Sequence, residues 1–597
     1  MGTARFYTAA ALATVCLLHA QSSRPKLGDN SAGSRGQPAH IIPLRDAEGD
    51  TIQPGDRRAL PFSPMQTCGG ECHDVSAISH GWHFNANQSG IAAGRNGQPW
   101  LLVDPSTGTQ LPLSYRAWPG TYRPHDIGMS EREFAIHFGG RTAGGFAPEE
   151  RASESDHARW LVSGGLEVNC LVCHDASPAY NQAEYANQVA QQNFRYAPAA
   201  ASGLGLVTGS SKQMPDTFDY LLPNSVEDSL QPQIPKVEYS PANFLPGGKV
   251  AFDIVREPKN SQCYYCHTNV DTAFIGGARF KGHEDIHIVR GLSCNECHRN
   301  GLDHMVTRGY ETGALTCEGC HAEGNSMGAP HPDHEGIPAV HFAKMTCTAC
   351  HSGPLPEQNT RQFKNGMAHG LGEFNVNKSP DALPHLYYPV FARNEEGKLA
   401  PNRMVWPAFW GRLQNGRVTP LHPDVVKSAM AKAKLAPTAT IDDHSVEAVL
   451  KVLDEESPAV YIAGGKLHRL DGGRLRAEDN VQAQPYLWPI AHDVRPATQA
   501  LGAKGCQDCH STDSAIFFGK VAVDSPLASD RAVPLTMAHF EKNLDVDYQS
   551  RLAHSWQYRG MLKAIGLTAA GLLLLVLLAY AVRAVDRLSA ATAGRLR

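Results

Sequence analysis

The sequence predicts a mainly α-helical chain with much irregular structure, small β hairpins and one C-terminal transmembrane helix. Three observations support this prediction. All but one of the 15 cysteines fall into short pairs, and each pair is followed at once by histidine. The chain holds 55 glycines and 40 prolines, a share typical of loop-rich folds with short helices. An uncharged apolar run, residues 564–582, lies close to the C-terminus.

The first twenty residues indicate a secretory signal peptide, 1–20. Arg5 gives a short positive start, residues 7–18 are mostly apolar, and Ala20 is a small residue suited to cleavage. Cys16 lies inside the apolar run and is expected to be removed with it. Residues 21–62 are predicted to form an N-terminal extension, because 21–50 is polar and shows no helical period.

The apolar run near the C-terminus is long enough to cross a bilayer. Its nineteen uncharged residues would span about 30 Å as a helix. Arg583 and Arg587 follow the run and favour a cytoplasmic C-terminus, which is also the orientation that the signal peptide gives. We therefore predict a single-pass anchor in the cytoplasmic membrane at 560–583 and a cytoplasmic tail at 584–597. The preceding domains are expected to lie in the periplasm.

Length and net charge limit the classes of protein to which the chain can belong. At 597 residues the chain exceeds the usual size of one domain, so two or more compact units are expected. The formal net charge is -5, so the chain lacks the excess of basic residues that a nucleic-acid-binding protein shows. No nucleic acid is expected among its partners.

Seven cysteine pairs, each followed by a histidine, are the motifs that indicate what the chain binds. The first has three residues between its cysteines and the other six have two. In chain order, motifs one to seven are Cys68/Cys72/His73, Cys170/Cys173/His174, Cys263/Cys266/His267, Cys294/Cys297/His298, Cys317/Cys320/His321, Cys347/Cys350/His351 and Cys506/Cys509/His510. The pattern C-x-x-C-H is the attachment signature of c-type haem. The thiols form thioethers with haem, and the histidine becomes the proximal iron ligand. We predict seven haem c groups.

Three other uses of cysteine pairs compete with this interpretation. A disulfide framework suits an exported protein, but it does not explain the seven histidines, and disulfides across such short loops are strained. Zinc sites would need two pairs each, and seven pairs leave one over. Redox C-x-x-C motifs normally occur singly.

The second, distal ligand of each iron is predicted from position along the chain. Seven of the 28 histidines belong to motifs, which leaves a large surplus. The candidates that lie near motifs or in glycine- and proline-rich turns are His83, His287, His304, His334, His341, His369 and His492. Held in reserve are His80, His125, His137, His157, His283, His331 and His539. Met305 and Met345 are rival ligands, but packing beside a porphyrin suits both, so mostly bis-histidine ligation and low potentials are expected.

The seven motifs resemble those of the multihaem c-type cytochromes of bacterial respiration. The histidine after every pair, the short motif spacing in mid-chain and the terminal membrane helix make the chain similar to haem-carrying subunits of periplasmic quinone-linked complexes. This resemblance implies a fold built around stacked haems. The chain differs from multihaem reductases of the nitrite and tetrathionate kind, which carry lysine after one C-x-x-C pair; no pair here is followed by lysine.

Motif spacing divides the chain into expected units. Residues 63–260 would hold haems one and two, 261–355 haems three to six, and 501–555 haem seven. Residues 356–500, which lie between the second and third of these units, are expected to form a haem-free cover domain that donates distal ligands. The unit 261–355 is too dense in motifs to fold around side chains alone, so its haems would form the core.

Local patterns predict several individual elements. A hairpin is expected where 100–103 runs into the turn 104–108, and another around 463–466. Amphipathic helices are expected at 425–435 and at 445–453, the latter capped by Asp442 and Asp443. Residues 199–244 are predicted to form a long surface loop. For Trp406, Phe409 and Trp410, packing in the core or against haem is favoured over lining a pocket.

Two functions remain open. The first is electron transfer between a membrane quinol-oxidising or quinone-reducing protein and a periplasmic electron carrier or reductase, with the protein tuning spacing and potential. The second is an oxidoreductase in which one haem keeps an open site for a small nitrogen or sulfur compound. The first is favoured, because it explains the anchor and the motifs without extra assumptions, so enzymatic activity of the chain itself stays uncertain.

Overall fold

The computed structural model describes residues 40–595, apart from 57, 71, 86–99, 117, 149–151, 224–225, 268–284, 307–315, 324–327, 354, 357–360, 365–384, 437–440, 528–532 and 543. The predicted signal peptide with Cys16, most of the N-terminal extension and the candidate ligands His283 and His369 lie outside these residues.

Most helices are only one to three turns long, as the glycine and proline content predicts. The helices are α1 Pro64–Cys68, α2 Val75–Ser79, α3 Glu131–Phe138, α4 Glu154–Ser163, α5 Leu171–His174, α6 Gln182–Ala190, α7 Ala197–Ala201, α8 Asn260–Cys263, α9 Ile286–Val289, α10 Cys294–Cys297, α11 Ala339–Lys344, α12 Cys347–His351, α13 Pro423–Lys432, α14 Asp443–Asp454, α15 Ala515–Phe518, α16 Met537–Phe540 and α17 Val546–Arg595.

The strands form small antiparallel sheets. They are β1 His40–Pro43, β2 Trp100–Asp104, β3 Thr109–Leu113, β4 Gly205–Thr208, β5 Lys236–Tyr239, β6 Phe244–Leu245, β7 Lys249–Phe252, β8 Arg361–Lys364, β9 His385–Arg393, β10 Leu399–Val405, β11 Phe409–Gln414, β12 Arg417–Pro420, β13 Ala459–Ala463, β14 Lys466–Asp471, β15 Arg474–Asp479, β16 Tyr486–Pro489, β17 Lys520–Val521 and β18 Leu535–Thr536. The larger sheets have the orders β1-β7-β6, β16-β10-β9-β8 and β12-β11-β13-β14-β15, and the pairs β2-β3, β4-β5 and β17-β18 stand alone.

The N-terminal part packs around an apolar core that also includes side chains of the five-stranded sheet, such as Phe409. Phe134 and Phe138 on α3 pack with Tyr185, Phe194 and the hairpin β2-β3. This hairpin confirms the prediction for 100–108, and its register joins Leu101 to Pro112 and Asp104 to Thr109. A capping box of Ser130 and Glu133 begins α3.

Residues 385–489 form more extended sheets than the predicted hairpins. The predicted hairpin at 463–466 is confirmed as β13-β14, but it belongs to a five-stranded sheet. The predicted helices are confirmed as α13 and α14, and the Asp442 side chain caps α14 by accepting from the Ser445 N–H. The apolar faces of both helices pack against this sheet.

Two structural predictions near these sheets have clear outcomes. Trp406, Phe409 and Trp410 are buried, and the Trp410 indole stacks on Tyr461 at 4.3 Å between ring centroids, so core packing is confirmed. The prediction of a surface loop over 199–244 is confirmed for much of 209–235, whose described residues are largely exposed and form no strand, but it is wrong at the two ends of the segment. β4 pairs with β5, and α7 lies buried in the N-terminal core, because its small alanine side chains allow close packing.

A tight turn docks the N-terminal hairpin on the five-stranded sheet. The Trp410 indole N–H donates to the Thr107 carbonyl, and the Tyr461 hydroxyl donates to the Gly108 carbonyl. Gly108 has a φ of 64°, and a Cβ there would lie 2.8 Å from the Tyr461 hydroxyl oxygen. Only glycine meets both requirements without strain.

The motif-dense segment has no such core. Among its described residues from 286 to 347, no hydrophobic side chain is buried. Val289 is 71% exposed and Leu302 58%, while Val340 and Phe342 are about half exposed. Side-chain packing within the polypeptide therefore does not hold this segment in place.

The C-terminal helix is long enough and apolar enough to cross a membrane. At about 1.5 Å per residue, the 50 residues of α17 span roughly 75 Å. Its N-terminal turns pack against the motif-seven turn, where Ala553 is buried, and the apolar stretch that follows is exposed throughout. At the place predicted for the anchor, 560–583, the chain thus forms one unbroken helix of membrane-spanning length and composition.

Candidate functional site

In four motifs with two residues between the cysteines, the chain turns back so that the histidine lies one helical turn after the first cysteine. The backbone N–H of His298 donates to the Cys294 carbonyl at 2.8 Å, and His174 and Cys170 make the same bond at 3.1 Å. The same bond joins His267 to Cys263 and His510 to Cys506 at 2.9 Å. Because residues four apart share a helix face, the first cysteine and the histidine point to the same side.

Motif one differs from this arrangement, and Cys72 is the residue that differs most. Its three-residue spacer places His73 five residues after Cys68, and the backbone N–H groups of Cys72 and His73 donate to the Gly69 carbonyl at 2.9 and 3.5 Å. Cys72 is exposed, whereas the second cysteines of the other six motifs are half-buried. The attachment role predicted for Cys72 is the same as for those six cysteines, but its surroundings are more open to solvent.

The cysteines of the motifs form no disulfides. All fourteen are described, and all fourteen are free thiols. The disulfide framework weighed in the sequence analysis is therefore not formed in the described chain.

Six of the seven motif histidines face a second imidazole. The ring centroids of the pairs lie between 5.9 and 6.3 Å apart, and the ring planes are inclined by 58° to 81°. The pairs are His174 with His304, His267 with His83, His298 with His492, His321 with His287, His351 with His334 and His510 with His341.

This separation leaves room for one metal atom between the rings. A direct N–H···N hydrogen bond, about 2.9 Å long, would bring two imidazole centroids to about 5 Å. Two metal–nitrogen bonds of about 2 Å each, in line, would instead give centroids about 6 Å apart. The observed separations match the second arrangement.

Hydrogen bonds at Nδ1 leave Nε2 as the available ligand atom in several rings. His174 Nδ1 bonds the Val255 carbonyl and His321 Nδ1 the Pro330 carbonyl, both at 2.8 Å. On the opposite side of the pairs, His304 Nδ1 bonds the Leu302 carbonyl at 2.9 Å. Such bonds to the second nitrogen are how metal-binding histidines are usually oriented.

Burial keeps several of these imidazoles neutral. It lowers the pKa of His83, with the nearby imidazoles of His298 and His304 adding to the effect. Burial also lowers the pKa of His174, His351 and His510. A neutral imidazole has the lone pair that a metal needs, so the electrostatics of these rings suit ligation.

Equivalent cysteines of neighbouring motifs interact with one another. Thiol–thiol hydrogen bonds join first cysteines, in the pairs Cys68–Cys170, Cys263–Cys294 and Cys317–Cys347, and raise the pKa of the first member of each pair. Second cysteines interact electrostatically in the pairs Cys173–Cys266, Cys297–Cys320 and Cys350–Cys509, which adds to the raised pKa of Cys173, Cys297 and Cys509. The two types of interaction alternate, and together they link all seven motifs in chain order. Cys72 and Cys506 belong to neither set, and both are exposed, at the two ends of this series.

The predicted distal residues are therefore brought to the motifs in six cases. The seventh, His369, lies outside the described residues, and so the structure does not test it as a partner for His73, which lies near His174. Met345 is partly buried against an apolar cluster that includes Ala349, and its predicted packing beside a porphyrin stays a prediction. Among the reserves, His80 bonds the Ser76 carbonyl and His539 contacts the Phe540 ring.

Several functional contacts were missed by sequence analysis. Asp285 Oδ1 bonds His287 Nδ1 at 2.8 Å, which raises the pKa of His287. The Trp556 ring, on α17, lies parallel to His510 within 20°, at 6.0 Å between centroids. The position of Asp285, two residues before His287, could have indicated this hydrogen bond from the sequence. No local feature of the sequence links Trp556 to His510.

Zinc-type clusters are not found at the motifs. Among the described residues, the one group of three candidate ligands is Glu133, His422 and Asp424, which contains no cysteine. Its members have other roles, since Glu133 belongs to the capping box of α3 and Asp424 pairs with Lys427 at 3.2 Å. The described motifs thus supply paired imidazoles and not four-ligand zinc sites.

No family model, curated protein or solved structure matches the chain. Its site is therefore interpreted from the chemistry of its own side chains.

Proposed function

We propose that this chain binds seven c-type haems and transfers electrons between a membrane partner and a partner in the periplasm. The observation that carries the proposal is the set of six imidazole pairs, each about 6 Å apart and each including a motif histidine. Paired imidazoles at this separation suit the two axial positions of a six-coordinate iron.

Each residue of a motif would have its own role in binding haem. The two cysteines attach the group covalently, the motif histidine gives the proximal ligand, and the opposite histidine gives the distal one. When bound, haem supplies a reversible one-electron couple. The chain's own residues fix the ligand orientation through bonds at Nδ1 and set the polarity around each iron.

The exposed apolar side chains of the motif-dense segment fit such a group. Val289, Leu302, Val340 and Phe342 are about half to three-quarters exposed in the part of the chain that the structure describes. A porphyrin offers a broad apolar face that would cover side chains of this kind and would recover their burial energy, at about 25 cal/mol per Å². The segment would then fold around its cofactors, as small metal-dependent domains do.

The contacts between motifs support a single unbranched path. Three thiol–thiol hydrogen bonds and three electrostatic interactions between cysteines connect the seven motifs in sequence, from motif one to motif seven. Groups attached to these cysteines would be neighbours along the chain of motifs. Electrons would therefore enter or leave mainly at the two ends, motif one and motif seven.

Motif seven is the membrane end of this path. Trp556 contacts its histidine and lies eight residues before the apolar run at 564, a distance of about 12 Å along a helix. A quinol-oxidising or quinone-reducing membrane protein would exchange electrons here. A periplasmic electron carrier or reductase would then exchange them at the motif-one end, where Cys72 is exposed.

Paired imidazoles favour electron transfer over an open catalytic site. A six-coordinate iron has no free position for a small nitrogen or sulfur compound. His369, the remaining distal candidate, lies outside the described residues. The six pairs therefore favour electron transfer, and the oxidoreductase is kept as the alternative that the spin-state measurement tests.

The proposal is tested by counting haems and their spin states on one preparation of the full chain. Intact mass and haem absorbance should give seven covalent haems per chain. Low-temperature electron paramagnetic resonance of the oxidised protein should show low-spin iron, and a redox titration should show mostly negative potentials. Absence of covalent haem would refute the proposal, and a stoichiometric high-spin signal would favour the oxidoreductase.

Asp285→Asn is expected to raise the potential of the haem at motif five. The carboxylate draws the Nδ1 proton of His287 and makes that imidazole more electron-rich, which stabilises oxidised iron. Replacing a charge-assisted bond by a neutral one costs about 1 kcal/mol, which corresponds to about 40 mV upward for one electron. Spectroelectrochemistry checks this, with Asp513→Asn as an exposed control; a downward shift would contradict it.

Trp556→Ala is expected to lower the potential of the haem at motif seven. His510 Nδ1 is buried and has no hydrogen-bond partner among the described residues. Removing the indole would admit water as an acceptor for this N–H, which would make the imidazole a stronger donor to iron. Trp556→Phe keeps an aromatic cover and should retain the original potential. An unchanged potential in the alanine variant would show that the indole does not shield His510.

A further inference from the structure

Arg495 holds the C-terminal end of the motif-six helix from a distant part of the chain. It lies 144 residues after His351, the last residue of α12. Its Nη2 donates to the Cys350 carbonyl at 2.8 Å, and its backbone N–H donates to the His351 carbonyl at 2.6 Å. Its Nη1 donates to the Ser352 carbonyl at 3.4 Å. The last carbonyls of a helix need such donors, and a cation is favourable there because the C-terminus carries partial negative charge.

The same residue orients the proximal histidine of motif six. His351 Nδ1 bonds the Arg495 carbonyl at 3.3 Å, which leaves Nε2 available as the ligand atom. The opposite ring of this pair is His334, at 6.3 Å between centroids. The backbone of Arg495 therefore fixes the His351 ring, while its side chain holds the backbone of the motif.

The positive charge of Arg495 acts on motif six. Burial raises the pKa of Cys350, and the charge of Arg495 opposes this effect. Burial lowers the pKa of His351, and the same charge adds to that shift. Asp493 acts on Arg495 electrostatically, but the hydrogen bonds that the guanidinium makes within the described residues go to backbone carbonyls. Its Nε is buried without an acceptor there. No direct carboxylate contact in the described chain therefore neutralises this cation.

Arg495 is also held in place by its neighbours in the segment 491–495. The ring of His492 faces the motif-four histidine at 5.9 Å between centroids. The Val494 N–H donates to Asp285 Oδ2 at 2.9 Å, and the other oxygen of that carboxylate bonds the distal candidate of motif five. Five consecutive residues thus reach three successive motifs, which fixes the position of the guanidinium relative to motif six.

We propose that Arg495 is a positioning residue of motif six and that its fixed positive charge raises the reduction potential of the haem there. This inference rests on the proposed function. Reduction adds one electron to a haem, and a nearby cation stabilises the reduced form more than the oxidised form. A guanidinium stays protonated at pH values near neutrality, so the effect does not depend on a titration. Motif six directly precedes motif seven, so the charge favours electron occupancy next to the membrane end of the path.

Arg495→Gln tests the charge, because the substitution leaves the backbone bonds of residue 495 in place. The potential of one haem should fall by roughly a tenfold change in its redox equilibrium constant, which is about 59 mV for one electron. Arg495→Lys keeps the charge and should restore most of the potential. Seven unchanged potentials in folded, fully loaded Arg495→Gln would overturn the electrostatic role.

Electron paramagnetic resonance of the same variants tests the positioning role. Neither glutamine nor lysine reproduces the planar, two-pronged contact of arginine with the Cys350 and Ser352 carbonyls. The low-spin g values of one iron should therefore shift in Arg495→Gln and in Arg495→Lys alike, although only the first variant lowers a potential. Unchanged g values in both variants would overturn this role.

Two further variants assign the effect to motif six. Arg412→Gln is the matched control, because Arg412 Nη1 donates to the Leu453 carbonyl near the end of α14 at 2.6 Å, in a sheet that contains no motif. Its replacement should leave all seven potentials unchanged. His334→Met marks the motif-six haem, since methionine ligation raises the potential of its iron. The component that rises in His334→Met should be the one that falls in Arg495→Gln, and a fall in a different component would overturn the assignment.

Haem content measured on the unmodified chain separates the two proposals. A preparation without covalent haem would overturn the proposed function and the role of Arg495 together. Seven low-spin haems whose potentials and g values do not respond to Arg495→Gln would overturn the role of Arg495 only.

Discussion

Replacing Cys294 and Cys297 together by serine is expected to remove one haem of seven and to unfold much of the motif-dense segment. The variant loses both attachment points of motif four, and weak binding through His298 alone would not retain the group. Intact mass should show the loss of one haem, and limited proteolysis should begin within 286–347.

The physical reason is the missing apolar core of that segment. Ordering one residue costs about 1–2 kcal/mol of backbone entropy, and no hydrophobic side chain is buried among the described residues from 286 to 347. Motif four also holds its neighbours, because the Cys294 N–H bonds the Asn260 side chain and its thiol bonds that of Cys263. Loss at this point should therefore spread to motifs three and five.

Two comparisons make the result specific. Cys294→Ser alone keeps one thioether and the proximal histidine, so it should retain the haem and resist protease. The sheet and helices of 409–479 have their own apolar core and should stay protected from hydrogen exchange in every variant. If the double variant resists protease throughout 286–347, the segment does not depend on its haem.

His304→Ala is expected to convert one iron of seven from low spin to high spin. His304 lies 6.1 Å from His174, and the pair is the candidate ligand set of motif two. Alanine leaves no side chain to fill the sixth position, so that iron would become five-coordinate or bind water. Electron paramagnetic resonance should show a high-spin signal of one iron per chain.

The local structure explains why no neighbour should replace this histidine. His304 has a φ of 52°, its Nδ1 bonds the Leu302 carbonyl, and its carbonyl accepts from the Trp82 N–H. A Cβ at Gly81 would lie 2.6 Å from His304, which shows how closely the two segments pack. The ring is therefore held in one place from both sides.

His304→Met and His80→Ala are the matched comparisons. Methionine can serve as an axial ligand, so His304→Met should stay low-spin and raise the potential of motif two. His80 bonds the Ser76 carbonyl and is not paired with a motif histidine, so its replacement should leave the spectrum unchanged. A fully low-spin spectrum for His304→Ala would refute the assignment of this pair.

Local elements could be predicted because their causes are local. The hairpin β2-β3 follows from an alternating run and a glycine turn, and α14 follows from its cap and apolar spacing. The loop prediction for 199–244 was wrong at the ends of this segment because the structure there depends on contacts that are not local. Its proline and glutamine content indicates a loop, but burial of α7 depends on residues far along the chain.

The candidate site also has features that the local sequence predicts and features that it does not. Cysteine and histidine within one motif are close in sequence, so their spacing alone indicated their chemistry. The opposite histidines were chosen by position, and the structure brings six of the seven to motif histidines, while their ligand role stays a prediction. Which histidine faces which motif was not predictable, because His304 reaches back to motif two and His492 to motif four. The exposure of Cys72 was not predictable either, since it depends on which motifs lie beside it.

By itself, the sequence determined seven haem-type motifs and one uncharged run of membrane-spanning length, since both depend on residues adjacent in the chain. Only the tertiary structure decided the imidazole pairing and the stacking of Trp556 on His510. These features depend on packing between distant segments, and a residue's burial and partners are set by that packing and not by its neighbours in sequence.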